Sequence, residues 1–344
     1  MKNILELSKE ELISYFQKIG QPRFRQVQVW NWLYQKGKLD FFEMSNIPKI
    51  IRERLARDFV IDLPKIYTVQ KSKDGTTKFA LSLHDENIIE TVLIPEGTHY
   101  TQCLSSQVGC PLGCTFCSTG KMGFVRNLSC GEIIGQILVA KSYLKDTKDK
   151  LKIRNLVFMG MGEPLLNWEN VKKAIYILRD KQAFDFSYRH TTISTVGIPK
   201  PLQEFAEKDL GSIAISLHAP TQELREKIMP KAASIVSLND LIELLKNIPL
   251  RNRQRITIEY ILIKGINDSL DHARQLNRVL SHIKCKINLI AFNPGEDIEY
   301  EAPDEKSISE FEKYLRDKGQ ITTLRKSKGQ DINAACGQLR AKIL

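Results

Sequence analysis

Cys110-Pro-Leu-Gly-Cys114-Thr-Phe-Cys117 places three thiols at C-x3-C-x2-C spacing on one short stretch. Three thiolates so arranged can hold three irons of a cubane cluster, with metal coordination keeping them deprotonated and the fourth iron left without a protein thiolate. Gly109 and Gly113 give the backbone the freedom that a close wrap requires. Structural zinc is the competing reading. It favours four closed ligands, usually as two spaced pairs, and neither a second C-x2-C nor a His pair lies nearby. The chain has seven cysteines, at 103, 110, 114, 117, 130, 285 and 336, four of them within fifteen residues. Such an odd, uneven set is no disulfide framework, so the thiols read as metal ligands, catalytic groups or small core residues. Cys336, between Ala335 and Gly337, fits either a core cysteine or an accessible thiol.

The elements that must position this loop follow a clear rhythm. From about residue 100, short β-rich runs (QCLSSQV, IRNLVFM, HTTIST, SIAISL, RITIEYILI, CKINLIAF) alternate with helical stretches such as GEIIGQILVAKSYL, ENVKKAIYILRD, SLDHARQLNRVLSHI and SISEFEKYLRD. Strand, helix, strand at this spacing implies right-handed crossovers and a parallel sheet. Six units fall short of an eight-stranded barrel, which predicts an α/β protein with an open, partial (β/α)6 barrel; a doubly wound sheet is the alternative. The cysteine loop then directly follows the first strand, QCLSSQV. Polar residues recur just past successive strand ends: Gly162 and Glu163, Ser194 and Thr195, Ser216 and His218, and Asn293. Each alone fits a turn, a cap or a satisfied structural histidine, but recurrence at one topological place points to one site.

Ahead of the barrel lie two further regions. Residues 1–60 carry 11 basic and 7 acidic residues and read as a small helical domain. Ser8 with Glu11 has the form of a capping box and Gly20 suits the helix end. A second helix is predicted over Arg23 to Lys36, its Trp30 and Tyr34 either core or part of an RNA-contacting module rimmed by Arg23, Arg25, Lys36 and Lys38. Residues 61–99 read as a β linker, with KDG at 73–75 turning a hairpin. The barrel and a basic C-terminal stretch (Arg325, Lys326, Lys328, Arg340, Lys342) fill 100–344. With 344 residues, 42% of them hydrophobic, there is material for a large core, and disorder is excluded. No run of about 18 uncharged apolar residues exists, which excludes a spanning helix and predicts a cytoplasmic protein. Formal charge of +11, from 51 Lys+Arg against 40 Asp+Glu, suits a polyanionic partner.

The cysteine motif and its flanks resemble the radical S-adenosylmethionine (SAM) superfamily. Met159-Gly-Met-Gly-Glu-Pro164 is similar to that superfamily's glycine-rich segment, and CLSSQVGC, CSTGKMGFVRNL, AISLHAP, KINLIAFNP and DINAACGQL, in that order, resemble the RlmN/Cfr family of RNA adenine methyltransferases. The resemblance implies one [4Fe-4S] cluster on Cys110, Cys114 and Cys117. It further implies SAM, two per turnover, contacted by Gly162, Glu163, Ser194, Ser216, Leu217, His218 and Asn293. Cys336 would be the thiol methylated first, Cys103 the second catalytic thiol, and Glu90 the proton acceptor; on sequence alone Glu90 equally fits an exposed strand-edge carboxylate. Cys130 and Cys285 are assigned to packing.

Adenine C2 offers no nucleophilic pair to a methyl cation, so polar transfer fails where carbon-radical addition succeeds. The implied sequence is that Cys336 takes a methyl group from one SAM, and a radical from a second, cleaved reductively, removes a hydrogen from it. The methylene radical then adds to the base. Cys103 attacks the Cys336 sulfur, releasing methylated RNA and leaving a transient disulfide. The expected substrates are adenine 2503 of 23S rRNA and adenine 37 of tRNA, with an external, flavodoxin-like electron donor and a monomeric chain. Pro164-Leu-Leu-Asn167 leans toward the C2 branch; a C8-methyltransferase of 23S rRNA is the close rival, and a non-catalytic zinc and RNA-binding protein the distant one. RNRQR at 251–255 reads as a solvated loop or a phosphate contact.

Overall fold

Ser8 opens the first helix by the expected capping box: its hydroxyl accepts from the Glu11 amide at 3.1 Å and its own amide donates to the Glu11 carboxylate at 2.6 Å. The computed structural model of the chain describes residues 1–295 and 298–340; Lys342 of the basic C-terminal stretch lies outside them. After the short strand β1 (Lys2–Asn3), α1 (Lys9–Lys18) ends before Gly20 at φ +68°, and α2 (Phe24–Trp30) continues as a wider helical turn, Asn31–Gln35, up to Gly37. Trp30 and Tyr34 are buried and meet edge to face at 4.8 Å, so they are core. Next come α3 (Lys49–Asp58) and β2 (Phe59–Val60), which pairs with β1.

A meander follows: β3 (Lys65–Lys71), β4 (Thr77–Ser82), β5 (Ile88–Glu96) and β6 (His99–Cys103), each antiparallel to the one before. The KDG turn joins β3 to β4, with Gly75 at φ +86°. The first barrel strand is shorter than QCLSSQV suggests. It stops at Cys103, and β7 (Gln107–Gly109) leaves the sheet to pair with β8 (Phe124–Asn127) in a separate two-stranded ribbon. The cysteine loop, with the short helix α4 (Ser118–Lys121), is therefore the connection of this ribbon rather than an extension of the barrel strand. Positive φ at Gly109 makes the turn between them possible.

Beyond it the parallel units run α5 (Cys130–Asp146), β9 (Lys152–Phe158), α6 (Trp168–Arg179), β10 (Thr191–Thr195), α7 (Pro199–Glu207) and β11 (Ser212–Ser216). Then come α8 (Gln222–Ile228), α9 (Pro230–Ile235), α10 (Leu238–Asn247), β12 (Ile256–Leu262), α11 (Leu270–Leu280), β13 (Cys285–Ala291), α12 (Glu305–Asp317) and β14 (Thr322–Arg325). The spatial order β6-β9-β10-β11-β12-β13 repeats the chain order with all pairs parallel. Without a reversal of strand order there is no topological switch point, so the doubly wound alternative fails and the partial (β/α)6 barrel holds. Strand β14 adds a seventh parallel strand beyond β13. Its short, polar TTLR gives no strand signal in sequence. Helix α5, apolar on nearly every face, is buried from Cys130 to Ala140, and Cys130 and Cys285 both lie in the core. Among the described residues no helix is long and apolar enough to cross a membrane.

Candidate active site at the open end of the barrel

The cysteine loop is pinned by backbone bonds on every side. The Cys110 amide donates to the Gly123 carbonyl at 2.7 Å, the Thr115 amide to Ile228 at the end of α8 at 3.0 Å, and the Ser118 amide to the Gly337 carbonyl at 2.8 Å. Cys110, Cys114 and Cys117 line one cavity at the C-terminal ends of the barrel strands. Burial pushes the Cys110 thiol up to about 12 and the Cys114 and Cys117 thiols upward as well, because desolvation penalises thiolates. Bound iron reverses that preference and holds them as thiolates. Among the described residues no three His, Cys, Asp or Glu side chains converge tightly enough to share a single ion. A cubane asks for something different, one thiolate at each of three iron corners, and three separate thiols around one cavity fit it.

Facing them across the cavity are Gly162 and Glu163 after β9, Ser194 on β10, Ser216 at the end of β11, and His218 beyond it. Gly162 sits at φ +96°, and a Cβ there would meet the Gln107 side chain at 2.5 Å. Gln107 in turn accepts from the Glu163 amide at 2.8 Å, fixing the glycine-rich lip to the ribbon. Glu163 accepts from the Leu165 amide at 3.0 Å and the Val196 amide at 3.0 Å. Burial nevertheless pushes its carboxyl up to about 7, these bonds and one from Thr195 opposing. His218 is held in a left-handed conformation, φ +55°, and its Nδ1 accepts from the Ile261 amide at 3.1 Å. Its imidazole is pushed down to about 3, first by burial and then by Arg225, so it is neutral with the proton on Nε2. Ser194 and Ser216 place their hydroxyl oxygens 3.4 Å apart.

Two residues expected to contact the cofactor do not line this cavity. Leu217 is wholly buried in the core, because it follows a strand whose alternation turns it inward. Asn293 reaches back to the C-terminal segment, donating to the Cys336 carbonyl at 3.3 Å while accepting from Gln330 at 2.7 Å. That segment, 329–340, is tied down at several further points. Gln338 donates to the Pro294 carbonyl at 2.6 Å, and Thr119 donates to the Leu339 carbonyl at 2.6 Å. Cys336 thereby lines the same cavity as the cluster loop. Glu90 is not an exposed edge carboxylate: β5 lies inside the sheet, and the side chain is buried, paired with Lys78 at 3.0 Å and accepting from the Arg340 amide at 2.8 Å. Burial raises its carboxyl above the usual range, with Lys78 opposing. Lys78 also donates to the Asn333 carbonyl at 3.3 Å.

Sequence reasoning missed Arg325 and Glu259 as site residues. Both line the cavity, and Arg325, at the end of β14, sits within electrostatic reach of Cys103, Cys336 and Glu259, its side chain 3.7 Å from the Met159 sulfur. Cys103, at the end of β6, is buried; burial pushes its thiol up to about 12, the neighbouring Cys336 adds to that, and Arg325 opposes. The two thiols, 233 positions apart in the chain, are thus electrostatic neighbours. Arg251 of the RNRQR run lies 3.7 Å from the Tyr188 ring and pairs with Asp209, an intramolecular engagement that fits the loop reading.

Known proteins match this arrangement from end to end. The radical SAM superfamily profile matches residues 104–276, and that of the ribosomal RNA large subunit methyltransferase N-terminal domain matches 2–61. A dual-specificity RNA methyltransferase RlmN from Nitratidesulfovibrio vulgaris (strain DP4) is 53% identical over 100% of this chain and 96% of its own. The chain belongs to the RlmN family of radical SAM RNA methyltransferases. The RlmN from Campylobacter lari is 44% identical over 99% of this chain and 98% of its own. A crystal structure of a radical SAM methyltransferase from Sphaerobacter thermophilus superimposes with a TM-score of 0.93 at 35% identity, covering 99% of this chain and 100% of the other. Members of the family use a [4Fe-4S] cluster together with SAM.

Proposed function

We propose that the chain methylates C2 of adenine in 23S rRNA, at adenine 2503, and adenine 37 of tRNA, with Cys336 as the methyl carrier. The observation that carries this reading is that Cys336 and Arg325 line the cavity of the three-cysteine loop, with the buried Cys103 thiol an electrostatic neighbour of both. The relatives' printed name, dual-specificity RNA methyltransferase RlmN, supports the substrates. Cys110, Cys114 and Cys117 would hold the cluster, which when bound supplies the electron that cleaves SAM. Glu163, Gly162, Ser194, Ser216 and His218 face the cavity where SAM would lie, and neutral His218 offers a hydrogen bond without a charge. Leu217 could contribute only backbone there, and Asn293 acts on the methyl carrier by fixing the Cys336 carbonyl.

In this reading Cys336 bonds the base through its methyl carbon, Glu90 takes the ring proton, and Cys103 attacks the Cys336 sulfur to free the RNA. The transient disulfide needs a reducing compartment, the cytoplasm, and an external electron donor; the chain works as a monomer, and residues 1–60 form an RNA-binding accessory domain. Cys336→Ala is expected to take no methyl group from SAM, whereas Cys103→Ala accumulates a protein–RNA adduct resolvable by denaturing electrophoresis. Normal turnover by Cys103→Ala would overturn the resolving role. Mass spectrometry of rRNA from cells lacking the protein distinguishes the C8 rival: loss of 8-methyladenosine with 2-methyladenosine retained would favour it.

A further inference from the structure

Arg225 is a fully buried arginine in the wall behind the cysteine loop. It lies on α8, whose last residue, Ile228, accepts from both the amide and the hydroxyl of Thr115, the residue after Cys114. Its guanidinium donates to two backbone carbonyls, Val236 at 2.6 Å and Val196 at 3.1 Å. Its Nε finds no acceptor, and among the described residues no carboxylate pairs with it. The anion-forming neighbour within electrostatic reach is the Cys114 sulfur. Burial lowers the guanidinium to about 10, which leaves it charged at neutral pH.

A full charge buried with only neutral acceptors is costly, and proteins retain such charges where an opposite one completes the site. The three-cysteine loop supplies that opposite charge once loaded. A dicationic cubane core with three thiolates carries one net negative charge, and reduction by one electron doubles it. We propose that Arg225 is the built-in counter-charge of the cluster, a positioning residue that stabilises the loaded loop and favours the cluster's reduced state. Val196 extends the link: its carbonyl accepts from Arg225 while its amide donates to Glu163, so the same guanidinium also braces the lip opposite the cluster. The inference rests on the cluster reading of Cys110, Cys114 and Cys117.

The test uses the full chain, reconstituted anaerobically with iron and sulfide, and two variants. Arg225→Lys keeps the charge and loses the two-carbonyl fork; Arg225→Gln keeps a donor and loses the charge. The cluster's midpoint potential is read by a reductive titration followed by electron paramagnetic resonance, and the rise in melting temperature on loading is measured alongside. Arg225→Gln should shift the reduction equilibrium at least tenfold toward the oxidised cluster, about 59 mV for one electron, and gain less stability on loading. Arg225→Lys should stay within threefold of the parent. Equal potentials in all three proteins, or a shift in Arg225→Lys as large as that in Arg225→Gln, would overturn the charge role. Should Arg225→Gln not fold, a tenfold shift in Arg225→Lys alone would do the same. Failure of the parent to take up iron would instead remove the cluster reading beneath it.

Discussion

Glu163 shows how burial alone sets a measurable pH response. Its folded carboxyl stands near 7 against an ordinary 4.5, so the folded chain holds a proton that the unfolded chain has lost. The stability it lends is complete below pH 4.5 and disappears as pH rises through 7, an effect of about 3 kcal/mol for the unloaded protein. Urea titrations of the unloaded chain between pH 5 and 8 should show this slope, and Glu163→Gln should flatten it; an unchanged slope would place the titration elsewhere. Arg325 offers a second residue-level expectation. Its cation opposes the desolvation of the buried Cys103 thiol. Arg325→Gln should slow release of the RNA adduct in single-turnover assays by about tenfold, and raising the pH should restore part of the rate, since the attacking species is the thiolate. The three-cysteine loop stood out in the sequence because C-x3-C-x2-C is a local pattern. Arg325 did not, because it comes beside Cys103 and Cys336 only through tertiary structure, and neither did the Asn293 bonds to Cys336 and Gln330, because a strand-end polar residue looks the same whether it meets a ligand or a loop.

At the scale of elements, the 329–340 segment has almost no regular structure and is held instead by side chains from other parts of the chain. The buried pair of Lys78 and Glu90 grips it at two points, the Asn333 carbonyl and the Arg340 amide. Lys78→Met leaves Glu90 buried without its cation and should cost about 3–5 kcal/mol. Because the lost cation lets the Glu90 carboxyl rise further, the deficit should be smaller at pH 5 than at pH 8, as thermal melts can check. The ribbon β7–β8 makes a second such demand. A Cβ on Gly109 would collide with the Gly123 carbonyl, the same carbonyl that accepts from Cys110. Gly109→Ala should therefore displace Cys110 and lower iron uptake on reconstitution, with circular dichroism of the barrel little changed. The five barrel strands after the first were readable because β-branched residues recur in them, whereas the first, HYTQC, has no apolar β-branched run and ends earlier than QCLSSQV suggests. The ribbon escaped because its strands are three and four residues long and paired only with each other.

For the whole molecule, the excess of 11 positive charges has to be weighed against how the cations are already used. Many are committed within the fold: Arg126 grips Glu132 and Asp85, Lys172 and Lys208 share Glu204, and Arg251 stacks on Tyr188. Net charge therefore predicts that RNA is attracted but not where it lies. The N-terminal region narrows the choice, because Arg23 and Phe24 are exposed, the Arg25 guanidinium lies 4.8 Å from the Phe24 ring, and Lys36 sits 3.5 Å over Trp32. Exposed aromatic and guanidinium surfaces side by side suit an unpaired nucleotide, while the cations suit its phosphates. Binding of an RNA hairpin containing the target adenine should weaken steeply with salt. Replacing Arg23 by Glu should lower both the affinity and the magnitude of the salt slope, by about one unit in the slope if a single phosphate contact is lost. Methylation of Cys336 by SAM, which in the proposed sequence precedes contact with the base, should be untouched in the same variant, so a loss there would trace the defect to the fold instead of the interface.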